Sequence, residues 1–222
     1  EAAESGATPL YVIADSAPAG IISLADSVRP ESAAAIRALT DRGISSWIVS
    51  GDRQEVVNAI ARDLNIPPER ARGGILPGGK GEAITEIRQS SSGPVAMVGD
   101  GVNDAPALAA ADVGISMGGG TEIAIDASAA TLSGADPRGV PLLVDLSRAT
   151  TRIIKQNLGW AFGYNILLVP LAAGALYPMW GLLLSPGIAA GAMALSSVLV
   201  ISNALRLRWV PSVVDRGAKG AA

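Results

Sequence analysis

Polar and apolar positions divide this sequence into two parts. Through residue 155, short apolar runs alternate with amphipathic stretches, and these residues carry most of the charge. Strands and helices that alternate at such short spacing predict an α/β Rossmann-like domain, in which helices flank a parallel sheet. The 50 residues from Gln156 to Leu205 contain no Asp, Glu, Lys or Arg. Since a span needs about 20 apolar residues, this stretch is long enough for two membrane helices.

Turn and cap residues set the ends of the predicted elements in the first part. Ligands bind at the carboxyl ends of the strands in parallel sheets. We therefore expect Ser50-Gly51-Asp52, Asp100-Gly101 and the glycine-rich stretch after Ser116, which each follow a predicted strand, to share one sheet edge. The predicted strands are Leu10–Ala14, Gly20–Leu24, Ser46–Val49, Val95–Val98 and Val113–Ser116, and helices are expected at Pro30–Asp41, Glu55–Leu64, Thr85–Gln89, Pro106–Ala111 and Glu122–Ser128.

The charge-free part predicts a membrane hairpin with both ends in the cytosol. Its spans are expected at Leu158–Tyr177 and Leu182–Leu205, joined by a loop with interfacial aromatic residues. Basic residues flank both outer ends, and such residues stay on the cytosolic side. An amphipathic helix, Val140–Lys155, would join the sheet to the membrane. We thus expect a multi-pass protein of the cell membrane, with the lipid bilayer as a partner. The flanking residues are Arg148, Arg152, Lys155, Arg206 and Arg208.

Composition excludes several kinds of chemistry. The net charge is −3, and no basic patch contains interleaved aromatic residues, so nucleic acid is not expected as a partner. The sequence has no Cys and no His, which excludes disulfides, thiolate chemistry, Cys/His zinc sites and Ser-His nucleophile pairs. The first residues are neither basic nor strongly apolar and do not start with Met. We therefore expect no signal peptide and a fragment of a longer chain.

An acidic loop follows one predicted strand. Asp100 and Asp104 lie four residues apart around Gly101 and Asn103. Mg²⁺ takes one or two carboxylates together with several waters, so these side chains are suited to hold it. Asp, Asn and Gly are also the commonest turn residues. These residues alone leave a magnesium site and a plain turn equally open.

The unbroken string from Gly99 to Leu108, Gly-Asp-Gly-Val-Asn-Asp-Ala-Pro-Ala-Leu, is more specific. It resembles the hinge motif of P-type ATPases, specifically the heavy-metal transporters, and the resemblance extends from about Tyr11 to Arg208. It implies a partial haloacid dehalogenase-like phosphorylation domain followed by a two-helix transmembrane hairpin. Other matching segments are Ala25–Pro30, with Ser27 in place of the family's Pro, Ser50-Gly51-Asp52, with Ser in place of Thr, and Leu76-Pro77-Gly78-Gly79-Lys80.

The resemblance implies a role for each matching residue. Asp100 would be a Mg²⁺ ligand, with Asn103 and Asp104 in the same pocket. Lys80 would balance the charge of a phosphoryl group, although a lysine among glycines is more often a solvated surface residue. Ser50 would donate its hydroxyl to that group, or else simply cap a strand. Gly51 and Asp52 complete this loop, Asp26 is expected to be structural, and ATP is expected to bind mainly to a domain outside this chain.

Polar residues in the spans predict a metal path. Such groups are costly within a membrane and often mark an ion route, although each one alone favours plain interhelical hydrogen bonding. Their spacing resembles that of the copper-class pumps, and the zinc class would be expected to place an Asp and a Lys here. Met193 is the best candidate ligand, because a thioether suits Cu(I). Tyr164, Asn165 and Ser197 are expected to assist it, and the wider pattern includes Asn157, Pro170 and Ser196.

Motifs of a complete pump are missing from the sequence. The phosphorylated Asp-Lys-Thr-Gly-Thr string and the Cys-Pro-Cys transport motif do not occur. We therefore expect the chain to be inactive alone and to act with the remaining domains and helices of a full-length pump. The implied division is 1–24 as the end of a nucleotide-binding domain, 25–139 as the phosphorylation domain, 140–155 as a linker helix, 156–208 as the membrane helices and 209–222 as a cytosolic tail.

Three alternatives stay open. The first is a P-type pump for another metal, such as Zn, Cd or Ag. The second is a membrane-anchored haloacid dehalogenase-type phosphatase with Asp15 as nucleophile, although Ala17 occupies the position of its general acid. The third is a regulatory remnant that binds Mg²⁺ or partner helices without catalysis.

Overall fold

The computed structural model describes residues 8–24, 28–99, 104–118, 122–181 and 185–209. The chain divides into two compact units, Glu1–Pro141 and Leu142–Ala222. The first unit holds the strands and short helices, and the second is helical.

The chain begins with an antiparallel hairpin. Strand β1 (Thr8–Ala14) pairs with β2 (Ala17–Leu24), which confirms both predicted strands and lengthens them. The turn consists of Asp15 and Ser16 with φ values of 50° and 62°. Two residues of positive φ match the twist of the flanking strands and give a tight hairpin. Asp15 therefore lies at the tip of a hairpin, whereas a phosphatase nucleophile of the predicted kind would follow a strand of the parallel sheet.

Parallel pairing dominates the rest of the first unit, as predicted. Strand β3 (Ile48–Val49) pairs with β4 (Ala71–Arg72). Strands β5 (Ala96–Gly99), β6 (Val113–Met117) and β7 (Ala130–Leu132) form a parallel sheet in that order. Sequence reasoning missed β4 and β7, because segments of two and three residues are too short to show an alternating pattern.

The predicted helices of this unit are present, with one shifted start. Helix α3 begins at Lys80, five residues before Thr85, so Lys80 opens a helix instead of lying in the glycine-rich loop. Asn65, with a φ of 55°, follows the end of α2 as predicted. The helices are α1 (Pro30–Thr40), α2 (Gln54–Asp63), α3 (Lys80–Ser90), α4 (Ala105–Ala110) and α5 (Glu122–Asp126).

The apolar core brings the ends of β3 and β5 to the same helices. One buried cluster joins α3 and α4, and partly buried residues at and before β3 and β5 pack against it. Apolar burial of this kind is the main favourable contribution to folding. Strands β3 and β5 thereby share one common core. The cluster is Ile84, Ile87 and Ala107, with Trp47, Val49, Val95 and Met97 packed against it.

The second unit consists mainly of two long helices. Helix α6 spans Gly139–Ala172 without a break, so the predicted linker helix and first span are one element. It includes Pro170 and ends five residues before Tyr177; Gly174, with a φ of 87°, follows it. The predicted exit loop largely forms the one-turn helix α7 (Tyr177–Trp180). Helix α8 spans Pro186–Leu205 and continues into a 3₁₀ turn, Arg206–Trp209.

The described helices include fewer candidate membrane spans than the sequence pattern predicts. Within the described residues, one helical segment, Ala190–Trp209, is long and apolar enough to cross a bilayer. Apolar helices in the cores of soluble proteins also pass this test, so the two-helix hairpin stays a prediction.

Candidate functional site

An ion pair between two helix starts forms the centre of the candidate site. Lys80 Nζ donates to Asp104 Oδ1 at 2.7 Å, and the two side chains are only 19% and 12% exposed. Lys80 is the first residue of α3, and Asp104 directly precedes α4. A Cβ on Gly81 would lie 3.4 Å from the Pro106 carbonyl oxygen, so these two helix starts approach closely. The structure therefore brings together two residues that the sequence placed 24 positions apart.

Gly99 provides the space that Asp104 occupies. A Cβ at position 99 would lie 2.8 Å from Asp104 Cβ and 2.9 Å from Asp104 Oδ2. Such distances essentially never occur between real Cβ atoms and their neighbours, so with any other residue either the carboxylate or the strand end would have to shift. Sequence reasoning treated Gly99 only as part of a loop motif. Its position at the end of β5, directly before the acidic string, was the available signal.

The Ser50-Gly51-Asp52 loop is bound to the segment that follows β4. Ser50 N donates to Arg72 O at 3.0 Å, and Ile75 N donates to Ser50 O at 3.0 Å. The Ser50 hydroxyl donates to Asp52 Oδ2 at 2.7 Å and accepts from Asp52 N at 3.2 Å. A Cβ on Gly51 would lie 3.3 Å from the Ile75 carbonyl oxygen. The hydroxyl proton is thus held at an exposed strand end, on a backbone fixed from the neighbouring segment.

One short segment connects the loop to the ion pair. Ile75 is hydrogen-bonded to Ser50, and five residues later Lys80 opens α3. A 3₁₀ turn, Pro77–Gly79, lies between them. Residues of β3 and β5 also pack on one core cluster, and the meeting of Ser50 with the Lys80–Asp104 pair in one site stays a prediction.

The remaining members of the predicted magnesium site lie outside the described residues. These are Asp100, Gly101 and Asn103, and the same holds for Asp26. Within the ranges that the structure describes, no group of three or more Asp or Glu side chains lies close enough together to hold a metal ion. Asp104 supplies one carboxylate at the end of β5, and its Oδ1 atom is already paired with Lys80. The magnesium site accordingly remains a prediction.

Asp112 lies at the other end of β6 and has a structural environment. Val95 N donates to Asp112 Oδ2 at 2.8 Å, and Arg88 Nη2 donates to Asp112 Oδ1 at 2.6 Å. The Val95 amide first, and the Arg88 guanidinium second, lower the pKa of this carboxyl below its usual range. The group ties α3 and β5 to the start of β6, away from the strand ends that carry the site.

A buried hydroxyl cluster joins the last two strands, and sequence reasoning missed it. Ser116 is fully buried, and its Oγ atom donates to Thr131 Oγ1 at 2.9 Å. Ser128 Oγ lies 3.0 Å from Ser116 Oγ. Buried hydroxyls need such partners, so the cluster fixes β6 against β7. The only signal in the sequence was a serine within an apolar strand.

The predicted metal-path residues form local bonds along their own helices. Asn165 Nδ2 donates to Ala161 O at 2.8 Å, and Ser197 Oγ donates to Met193 O at 3.3 Å. Met193 is 63% exposed. Bonds to a carbonyl four residues earlier satisfy a polar group without any partner helix. Tyr164 is half-buried, and a metal site formed by these four residues stays a prediction.

Hydrogen bonds from Asn203 join the two long helices. Asn203 Nδ2 donates to Asn157 Oδ1 at 2.9 Å and to Gln156 Oε1 at 3.3 Å. Arg206 Nη1 in turn donates to Asn203 Oδ1 at 3.1 Å. The end of α8 therefore lies beside the middle of α6. From this contact, Ser197 is six residues back along α8 and Tyr164 is seven residues forward along α6, so at about 1.5 Å per residue both lie at similar distances from it along their helices.

Comparison with known proteins shows the family of the chain. A family model described as haloacid dehalogenase-like hydrolase matches residues 1–112. The chain belongs to the haloacid dehalogenase-like hydrolase family. The predicted resemblance to heavy-metal P-type ATPases is also confirmed. The chain is 52% identical to a copper-transporting P-type ATPase of Rhizobium leguminosarum bv. viciae over 92% of its length and 24% of the relative.

Two further relatives extend the comparison. The chain is 51% identical to a silver exporting P-type ATPase of Salmonella typhimurium, again over 92% of its own length and 24% of the relative. A crystal structure of a zinc-transporting PIB-type ATPase in its E2.Pi state matches with a TM-score of 0.77 and 37% identity, covering 93% of this chain and 32% of that one. This haloacid dehalogenase-like chain thus spans about a quarter of the length of the curated relatives it matches.

Proposed function

We propose that this chain forms the Mg²⁺- and phosphoryl-binding edge and two membrane helices of an ATP-driven heavy-metal pump. The observation that carries the proposal is the Lys80–Asp104 ion pair at 2.7 Å, which holds the Lys80 ammonium group near the carboxyl end of β5. Sequence identity of 52% to a copper-transporting and 51% to a silver exporting P-type ATPase supports it. Cu(I) is the proposed cargo, export is the proposed direction, and an aspartyl phosphate is the proposed intermediate.

Lys80 is the residue that would meet a phosphoryl group. Its ammonium carries a point charge, which stabilises the oxygens of a transferring phosphoryl group. Asp104 orients that charge before any phosphoryl group arrives, so less reorganisation is needed when it does. The Ser50 hydroxyl, which donates a hydrogen bond to Asp52, can donate instead to a phosphoryl oxygen, with the Gly51 amide and Asp52 beside it.

Asp104 is also suited to face Mg²⁺ with its second oxygen, because hard cations take carboxylate ligands. Asp100 is the proposed direct ligand, and Asn103 the proposed neighbour in the pocket. Bound Mg²⁺ would neutralise part of the charge on the phosphoryl oxygens.

The phosphoryl acceptor is not proposed from this chain, because its sequence contains no Asp-Lys-Thr-Gly-Thr string. The test is a graft of all 222 residues into the matching region of the Rhizobium leguminosarum relative. We expect an acid-stable phosphoenzyme from ATP with the graft and none with the purified chain. Lys80→Met in the graft should abolish turnover. The control Arg62→Met, at an exposed position of α2, should leave turnover unchanged. A graft that folds and binds ATP but forms no phosphoenzyme would refute the proposal.

The cargo is proposed from Met193, whose thioether is a soft ligand. Tyr164, Asn165 and Ser197 are the proposed oxygen and amide partners. In the active graft, Met193→Ala should reduce Cu(I)-stimulated ATPase activity by at least about tenfold, whereas Met179→Ala, another exposed methionine, should not. Stimulation by Zn²⁺ that survives Met193→Ala would assign the pump to another metal.

The membrane hairpin is proposed from α6 and α8, with both outer ends in the cytosol. The 222-residue chain, expressed without the graft, permits a direct test, because it contains no Cys and each introduced thiol is therefore unique. In intact cells, an impermeant thiol reagent should label Met179→Cys in the connection and spare Arg148→Cys before the first span. Labelling of both positions, or only of position 148, would reject this topology.

A further inference from the structure

Gln54 makes three hydrogen bonds with its side-chain amide. Its Nε2 atom donates to Ala71 O at 2.8 Å and to Asn58 Oδ1 at 2.8 Å. Its Oε1 atom accepts from Gly73 N at 2.7 Å. The orientation of the amide is determined by its partners, since Ala71 offers a carbonyl and Gly73 offers an N–H. One side chain thus binds the backbone on both sides of Arg72.

This pattern reproduces the pairing of a parallel strand. In a parallel ladder, one residue donates to the carbonyl before its neighbour and accepts from the N–H after it. The other side of β4 is occupied by the chain of β3, because Arg72 O accepts from Ser50 N. The Gln54 amide therefore covers the outer edge of β4, whose polar groups would otherwise face water.

The covered segment holds the Ser50 loop. A Cβ on Gly73 would lie 2.7 Å from Gln54 Cα and 2.9 Å from Asp52 O, so the chain passes Gly73 with no spare room. Gly74 N then donates to Asp52 O at 2.6 Å, and Ile75 N donates to Ser50 O. Release of Gly73 would loosen the same residues that fix Ser50 and Asp52.

We propose that Gln54 is a positioning residue for phosphoryl transfer: its side-chain amide locks Ala71 and Gly73 and so holds the Ser50 hydroxyl in place. The inference rests on the proposed function for its activity readout. Gln54 itself does not touch the phosphoryl group; it acts through the backbone of the neighbouring segment.

The substitution Gln54→Glu tests the inference through pH. An ionised glutamate keeps the acceptor for Gly73 N but places a second acceptor against Ala71 O, whereas a protonated one can donate there again. In the active graft we expect turnover to fall about tenfold at about pH 8 and to recover relative to the parent as the pH falls to about 5. Gln54→Ala should lose a similar factor at every pH, with the KM for ATP unchanged in both variants.

Gln89→Glu is the matched control, because Gln89 is an exposed glutamine on α3, and its activity ratio to the parent should stay flat with pH. Amide exchange at Gly73, measured on the 222-residue chain as a ratio to the parent chain at the same pH, should be faster in Gln54→Glu at high pH and return toward the parental rate at low pH. Faster exchange at Gly73 with parental turnover at all pH values would overturn the positioning role. An inactive parent graft would instead refute the proposed function, and unchanged exchange at Gly73 would refute the hydrogen-bond lock itself.

Discussion

The two units of this chain place their polar residues in different ways. In the first unit, two side chains in or beside the candidate site bind partners far away in the sequence: Lys80 binds Asp104, and Gln54 binds Gly73. In the second, Asn165 and Ser197 bind carbonyls only four residues away on their own helices. Long-range contacts define a geometry, whereas local ones satisfy an atom without orienting it toward a ligand.

The difference separates the two proposed sites. The proposed phosphoryl-binding edge is built from contacts that any substitution of a partner would disturb. The proposed metal path depends on how α6 and α8 are set against each other, and the long-range links in the described hydrogen bonds of those helices are those from Asn203 to Asn157 and Gln156. Substitutions in the first unit should therefore cost more than comparable ones in the second.

The largest effect is expected for Lys80→Met. Asp104 would remain as a nearly buried carboxylate without its cation, and breaking a buried pair in this way costs several kcal/mol. With side chains 19% and 12% exposed, we expect the free energy of unfolding of the first unit to fall by about 2–3 kcal/mol. Urea unfolding with pulsed hydrogen exchange of α3 and α4 peptides measures it.

The double variant Lys80→Met/Asp104→Leu is the control for that result. Since it removes both charges, it should regain at least half of the lost stability while the graft stays inactive. Equal losses in the single and double variants would show that the ion pair has no part in holding α3 against α4.

A smaller loss is expected for Gly99→Ala. The added Cβ would meet Asp104 at 2.8 Å, so either the strand end or the carboxylate must shift, at a cost of about 1–3 kcal/mol. Gly93→Ala is the matched control, because nothing lies within 4 Å of its Cβ position. Equal unfolding midpoints for the two alanine variants would remove the argument that Gly99 makes room for Asp104.

Much of this fold follows from the sequence pattern, and the reasons are local. The two strands of the hairpin were predicted from their apolar residues, although their pairing was not. The start of α1 and the end of α2 were predicted because Pro30 and Asn65 are strong local signals. Strand β4 was invisible, since its stability comes from β3 on one side and the Gln54 amide on the other. Pairing across such distances leaves no trace in a short window of sequence.

The candidate site divides in the same way. Motif resemblance pointed to Lys80, Ser50 and Asp104 because their neighbours in sequence form recognisable strings. Gln54 belongs to no such string, and its role depends on a carbonyl 17 residues away. Sequence reasoning also gave Lys80 and Asp104 separate roles, although the fold makes them one ion pair. Residues that act through tertiary contacts are those that a motif misses.

In the second unit, the amide contact between the helices should give a modest effect. Asn157→Ala and Asn203→Ala should each destabilise the helix pair, and the double variant should show a coupling of about 0.6–1 kcal/mol. Ser197→Ala should change stability by less than about 0.5 kcal/mol, because its hydroxyl binds only Met193 O in the described contacts. Reversible unfolding in mixed detergent measures all three. A coupling near zero would leave the register of α6 and α8 without its proposed link.

The smallest effect on stability is expected at acid pH, and it should distinguish the first unit from the second most clearly. The pKa of Asp112 is lowered by the Val95 amide and by Arg88, so its ionised form favours the folded state. That contribution is complete above the ordinary value of 3.8 and is lost as the pH falls through the lower folded pKa. Asp112→Asn should therefore lower the urea midpoint of the first unit above that window and leave it unchanged below.

The stretch from Gln156 to Leu205 provides the internal comparison, because it contains no Asp, Glu, Lys, Arg or His to titrate there. Pulsed exchange at one fixed labelling pH would report both units in a single experiment. If α8 lost protection over the same acid window as β5 and β6, its stability would have to be coupled to the first unit. The local bonding of its polar residues would then be an incomplete account of what holds it.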